Sequence, residues 1–176
     1  MLTVFTGGAR SGKSTAASRL ADGSDAPVTV IATAQPLDAE MRERIERHRT
    51  DRPAGWVVIE EPLALDHAVS AAIADRPGAT ILVDCLGLWV TNRLDDDEDR
   101  AILEEATSAA VRLGSHRGAA IVVTNEVGDG IVPDNAISRR FRDVLGLVNQ
   151  IFVGQAADAY LCVAGRALEL KTLEEL

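Results

Sequence analysis

The chain has 176 residues, is 47% hydrophobic and carries a formal net charge of −9 at pH 7. That acidic balance excludes a general nucleic-acid binder, which needs a basic field over its surface. No apolar stretch is long enough for membrane insertion, so a single α/β domain spanning residues 1–176 is expected.

Met1 leads straight into the apolar run Leu2–Thr6, the first predicted strand. The run lacks the basic start of a secretory leader, and a cytoplasmic location is expected. Residues 7–14 then read GGARSGKS, a Gly7-x4-Gly12-Lys13-Ser14 loop that opens a helix predicted over Lys13–Ala21. A strand–loop–helix of this spacing wraps phosphate. Gly7, Gly8 and Gly12 let backbone N–H groups converge on an anion, and the helix adds free N–H groups and its positive dipole end. Lys13 is placed to reach the β- and γ-phosphates of a nucleoside triphosphate, and the Ser14 hydroxyl to hold Mg²⁺.

Strands are predicted next at Val28–Ala32, Trp56–Glu60, Ala79–Asp84, Ala119–Thr124 and Ala159–Ala164, with a short final one at Leu168–Lys171. Helices fall between them at Asp38–His48, Leu63–Ala74, Glu98–Ser115 and Ile137–Ala157. This alternation predicts a mostly parallel central sheet flanked by helices. Gly165-Arg166 reads as a hairpin turn, which makes the last strand an antiparallel edge. Cys85 and Cys162 sit in apolar, strand-like surroundings and read as buried free thiols of a reducing compartment.

Within the helix over Asp38–His48 and the turn after it, Arg42, Arg44, Arg47, Arg49 and Arg52 surround His48. Such alternating charge suits a solvated helix face. It also suits a second anion clamp, in which a neutral His48 attacks a clamped α-phosphate. The arginines and the helix end act on the ring's charge in opposite directions, so both readings stand at this stage. The strand Thr80–Asp84 ends in an acid, as expected of a carboxylate beside a phosphate loop that helps to hold Mg²⁺. Glu60 and Glu61 end another strand on that edge, where they either meet ligand or serve the next helix N-terminus.

The acidic run Asp95–Asp99 reads as a solvated loop leading into a helix. Asn125–Asn135 is a glycine-rich loop at the carboxyl edge of the sheet, of the kind that positions or covers substrate. Arg139, Arg140 and Arg142 form a second cationic cluster, either anion-binding or salt-bridged. Asn149-Gln150 in the last long helix needs hydrogen-bond partners if buried, from substrate or across a subunit contact. His67 and His116 are assigned surface or helix positions. The Asn-Lys-x-Asp sequence by which Ras-like GTPases read guanine is absent, which argues against a switch GTPase.

Several segments come in a specific order: TGGARSGKS (6–14), IATA (31–34), Asp38 to His48, Trp56, Glu60-Glu61 and Asp84-Cys85-Leu86 through Asn92. VTNEVGDGIVP (123–133), Arg139-x-Phe141-Arg142-Asp143 and Val148-Asn149-Gln150 complete the series. Taken together they resemble the bifunctional adenosylcobinamide kinase / adenosylcobinamide-phosphate guanylyltransferase family of cobalamin biosynthesis. The resemblance implies a RecA-like P-loop NTPase fold assembled as a homotrimer. It also implies two steps. Adenosylcobinamide would be phosphorylated with ATP or GTP. His48 would then take GMP from GTP, release pyrophosphate and pass GMP on to give adenosylcobinamide-GDP. By the same carry-over, Gly8, Ala9, Arg10, Ser11, Gly12, Lys13, Ser14 and Thr15 hold the phosphates. Thr33, Ala34, Glu61 and Asp84 lie at the nucleotide, with Ser14 and Asp84 at the metal. Lys13 joins His48 as a catalytic residue.

Overall fold

Runs that are apolar on consecutive positions, rather than alternating, mark strands covered on both faces, and the computed structural model bears this out. It describes residues 1–172. β1 (Leu2–Gly7) and β5 (Ala120–Val123) are buried at every position. With β2 (Val28–Ala32), β3 (Val57–Glu60), β4 (Thr80–Asp84), β6 (Asp158–Val163) and β7 (Arg166–Glu169) they form one seven-stranded sheet. Its order is β3-β2-β4-β5-β1-β6-β7. Every pairing is parallel except β6 with β7, so the antiparallel strand lies at the edge.

The helices are α1 (Lys13–Asp22), α2 (Ala39–Thr50), α3 (Leu65–Asp75), α4 (Leu86–Arg93), α5 (Asp99–Ser115) and α6 (Ala136–Gln155). α3, α5 and α6 cover one face, where Trp89, Phe152, Leu113 and Ile102 are fully buried in the main core. Withdrawing a side chain such as Phe152 from water stabilises the fold by about 2–3 kcal/mol. On the other face α1 lies against Phe5, Leu82 and Ile121 through the small residues Ala17 and Ala21. α2 differs from all of these. Asp38 caps it by accepting from the Met41 N–H at 2.7 Å, yet none of its residues is buried. Only Met41, Ile45 and His48 on its inner side are half-buried.

Two elements depart from expectation. α4 begins directly after Cys85, and its Gly87, Val90 and Thr91 obscure a helical pattern; burial of Leu86, Trp89 and Val90 holds it against weak local propensity. The hairpin turn is Ala164-Gly165 rather than Gly165-Arg166, because both of those residues are left-handed, and β7 therefore starts at Arg166. His116, expected at a surface or helix position, is buried beyond the end of α5 with its Nε2 2.7 Å from the Ala79 carbonyl. His67 is exposed on α3, as expected.

Candidate active site

β1 delivers the chain into the phosphate loop at Gly7, and α1 begins at Lys13. Gly12 precedes α1 in a left-handed conformation, and no side chain caps the helix. The first-turn amides are thus left to an incoming anion. Gly8, Ala9, Arg10 and Thr15 are exposed at the mouth, Gly12 and Ser14 half-buried, and Ser11 and Lys13 buried. Arg10 is also left-handed, at φ 55°, a conformation that costs a side-chain-bearing residue about 1–2 kcal/mol. Lys13 Nζ donates to the Gly8 carbonyl at 3.0 Å, folding the side chain across its own loop. Burial lowers the Lys13 pKa, with Arg44 acting in the same sense and Cys85 and Asp84 opposing it.

β4 carries Asp84 to the same edge of the sheet. β5 intervenes between β4 and β1, so the acid stands one strand away from the loop strand rather than next to it. Both still border one cavity of about 470 Å³, which is lined by Ser14, Thr15, His48, Arg52, Trp56 and Asp84 among others. His48, near the end of α2, faces Asp84 with Nδ1 3.4 Å from Oδ2. Arg52 reaches the same Oδ2 at 4.0 Å. A second cavity of about 400 Å³ lies under α2, where Ala34, Met41, Arg44, Ile45, Glu60 and Leu88 contribute to its wall. His48, Arg52 and Asp84 border both spaces. The two cavities therefore meet at these three residues.

The arginines divide between the two readings. Arg47 pairs with Glu43 at 3.0 Å on the solvated face, and Arg49 pairs with Glu60. Arg42, Arg44, Arg49 and Arg52 all line the cavity under α2, and Arg44 has no ion-pair partner among the described residues. The carboxylate of Asp84 is within ion-pair distance of His48, which sequence spacing alone did not indicate. Trp56 and Pro53 at the wall of the loop cavity were likewise missed as site residues; Trp56 figured in the family resemblance without a role, and the signal for Pro53 was closeness to His48 in sequence.

Other expected residues have their polar groups engaged within the chain. The Thr33 hydroxyl is buried between β2 and β4, where it donates to the Cys85 carbonyl at 2.7 Å and accepts from the Cys85 N–H at 2.9 Å. Glu61 Oε1 accepts from the N–H groups of Leu63 and Ala64 before α3, and Glu61 lines neither cavity. Asn149 is paired rather than free for substrate. It accepts from the Thr124 hydroxyl at 2.6 Å and donates to the Asn125 carbonyl at 2.9 Å, fixing the start of the glycine-rich loop. That loop is further tied to the phosphate loop by Glu126 N–H donating to the Gly7 carbonyl at 3.1 Å. Arg140 is salt-bridged to Asp99 and holds the Leu94 and Asp97 carbonyls, while Arg139 holds those of Pro133 and Asp134. The acidic run leads into α5 as expected, with Asp97 paired to Arg93. Cys85 and Cys162 are free and buried, and burial pushes the Cys85 thiol up to about 11.

Residues 3–170 match the model of a family described as cobinamide kinase / cobinamide phosphate guanyltransferase. The chain belongs to that family. Family members are bifunctional enzymes, with a cobinamide kinase and a cobinamide phosphate guanyltransferase activity. The bifunctional adenosylcobalamin biosynthesis protein CobP of Pseudomonas aeruginosa is 43% identical over 171 residues, 97% of this chain and 98% of the relative. CobU of Escherichia coli K12 is 40% identical over 184 residues, 97% of this chain and 100% of the relative. A solved structure from Pyrococcus horikoshii OT3 is similar over 98% of this chain and 86% of that one, with a TM-score of 0.54 and 8% identity. That likeness concerns the fold, which is a P-loop NTPase sheet with its antiparallel edge. No helix among the described residues is long and apolar enough to cross a membrane.

Proposed function

We propose that this member of the family carries out both steps at one nucleotide site, with His48 as the nucleotidyl carrier. The observation that carries the reading is the shared cavity, which brings Ser14 and Thr15 of the loop together with His48 and Asp84. The amides of Gly8 to Thr15, with Lys13, grip the β- and γ-phosphates. In the kinase step the γ-phosphoryl group of ATP or GTP passes to the adenosylcobinamide hydroxyl, which the cleft holds in line.

In the transferase step the α-phosphorus meets the imidazole. Asp84 faces Nδ1, which leaves Nε2 with a free lone pair. Its attack forms an N–P bond, breaks the bond to the bridging oxygen and releases pyrophosphate. The positive charge gained by the ring lies beside the Asp84 carboxylate. An oxygen of cobinamide phosphate then attacks the same phosphorus, and the electron pair of the N–P bond returns to Nε2. The two cavities that His48 borders allow a nucleotide in one and the acceptor in the other. α2 has no buried residue to anchor it, so His48 can shift with it between steps at small cost.

Ser14 and Asp84 suit Mg²⁺, a cation usually held by one or two protein oxygens together with substrate phosphates. When bound it offsets the charge of the phosphate oxygens. The same reading treats residues 1–176 as one catalytic domain and sets it in the reducing cytoplasm, consistent with two free thiols. It assembles the chain as a homotrimer, for which the exposed Val163, Leu168 and Leu170 along the β6–β7 edge offer apolar surface. Sedimentation of the purified protein tests the trimer. Incubation with GTP labelled at the α-phosphate tests the carrier. Wild type should retain an acid-labile, base-stable label and His48→Ala none, while His48→Ala still phosphorylates adenosylcobinamide. Unchanged labelling of His48→Ala would remove His48 from the mechanism.

A further inference from the structure

The phosphate loop leans on a part of the chain that borders neither cavity. β6 and β7 are joined by Ala164-Gly165, both left-handed at φ 51° and 76°, the geometry of a tight type I′ hairpin. The Gly165 N–H donates to the Ser11 carbonyl at 2.9 Å. A Cβ on Gly12 would lie 3.1 Å from Gly165 Cα, and one on Gly7 would lie 2.4 Å from the Cys162 carbonyl oxygen. Both ends of the loop therefore rest against the hairpin backbone, too closely for side chains to intervene.

This contact has an electrostatic consequence. The Ser11–Gly12 peptide is planar and trans, so its N–H points opposite to its C=O. Holding the Ser11 carbonyl outward, against Gly165, aims the Gly12 N–H away from the hairpin. On the other flank Glu126 N–H holds the Gly7 carbonyl in the same manner. A loop that binds an anion through its amides must keep its carbonyl oxygens turned away from the negative charge. Neither carbonyl can rotate inward without giving up a partner.

We propose that the Ala164-Gly165 turn is a positioning element of the phosphate cradle, in which the Gly165 amide pre-sets the Ser11–Gly12 peptide for the phosphate chain. Gly165 touches no substrate and acts through Ser11 and Gly12. The proposal rests on the loop's binding the triphosphate, and the experiment separates the two.

Gly165→Val forces a β-branched residue into a left-handed turn, and one glycine inserted between Ala164 and Gly165 displaces the amide without adding a side chain. Ala164→Asn keeps the type I′ turn and serves as the conservative variant. Dissociation constants for GTP and for inorganic tripolyphosphate, each with Mg²⁺, are measured by calorimetry beside thermal midpoints. Both displaced variants should weaken the two ligands by the same factor, roughly tenfold for one charge-directed hydrogen bond, so that the ratio of affinities is unchanged. Ala164→Asn should bind as wild type does. A folded displaced variant with unchanged GTP affinity, or one that loses GTP but not tripolyphosphate, overturns the proposal. Wild type that binds GTP but not tripolyphosphate overturns the phosphate-loop reading itself, and the brace with it. Should neither displaced variant fold, hydrogen exchange on wild type decides: GTP must slow exchange of the Gly165 amide together with that of Gly12, because linkage is reciprocal. Unaltered exchange at Gly165 when Gly12 is protected refutes it.

Discussion

Thr33→Val replaces the hydroxyl that joins β2 to β4 with a methyl of nearly the same volume. The hydroxyl makes two bonds, both to Cys85, and all the groups involved are buried. The variant strands the Cys85 N–H, at about 1–3 kcal/mol for a buried donor left unpaired. The Cys85 carbonyl loses one of two partners, since the Trp89 N–H also reaches it at 3.2 Å. That loss is smaller, about 0.5–1.5 kcal/mol. Together they give about 3 kcal/mol, or a fall of about 6–12 °C in the thermal midpoint of a domain this size. Thr33→Ser keeps both bonds and should lose only about 1 kcal/mol, for its missing methyl group. Urea unfolding of the three proteins at equal slope measures the difference. Because Asp84 precedes Cys85 in the chain, Thr33→Val should also slow both the kinase and the transferase step. A Val variant within about 0.5 kcal/mol of wild type would show that the Thr33 bonds do not carry this junction.

Three further outcomes follow from the site. Lys13→Ala should weaken GTP binding about 100-fold or more by calorimetry and slow both half-reactions in parallel, since one cradle serves both; loss of the kinase step alone would mean two nucleotide sites. Asn149→Leu should cost about 2–3 kcal/mol in urea unfolding, because the buried Thr124 hydroxyl and the Asn125 carbonyl both lose a partner. Cys85, its thiol pushed up to about 11 by burial, is protonated throughout the neutral range and becomes a thiolate only in strong alkali. Iodoacetamide at pH 8 should therefore leave Cys85 unmodified in the native protein and alkylate it in denaturant, as read by mass spectrometry.

The parts legible in sequence were those written in local spacing. The phosphate loop combines a fixed glycine interval with a strand before it and a helix after it, so its place followed from residues 2–21 alone. The alternation of apolar runs with helical segments gave the parallel sheet, and Gly165 gave the hairpin turn to within one residue, although β7 starts two residues before the strand expected at Leu168–Lys171. What escaped depends on contacts between distant segments. α4 is stabilised by burial of Trp89 and its neighbours rather than by a periodic pattern. Thr33 is assigned to the nucleotide by resemblance, and only the approach of Cys85 shows it as a tie between strands. The arginines around His48 look alike along α2, yet acids at Glu43 and Glu60 engage two of them while Arg52 turns to Asp84. Charge pattern gives the presence of a cationic segment; the partner of each member is set by tertiary packing.

In the proposed mechanism GMP travels through His48. Its most direct test is a single-turnover chase. Protein guanylylated with α-labelled GTP is freed of nucleotide and mixed with adenosylcobinamide phosphate alone. The label should leave His48 and appear in adenosylcobinamide-GDP, one product per guanylyl group, with no GTP added. A label that stays on the protein, with product formed only once free GTP is restored, would contradict it.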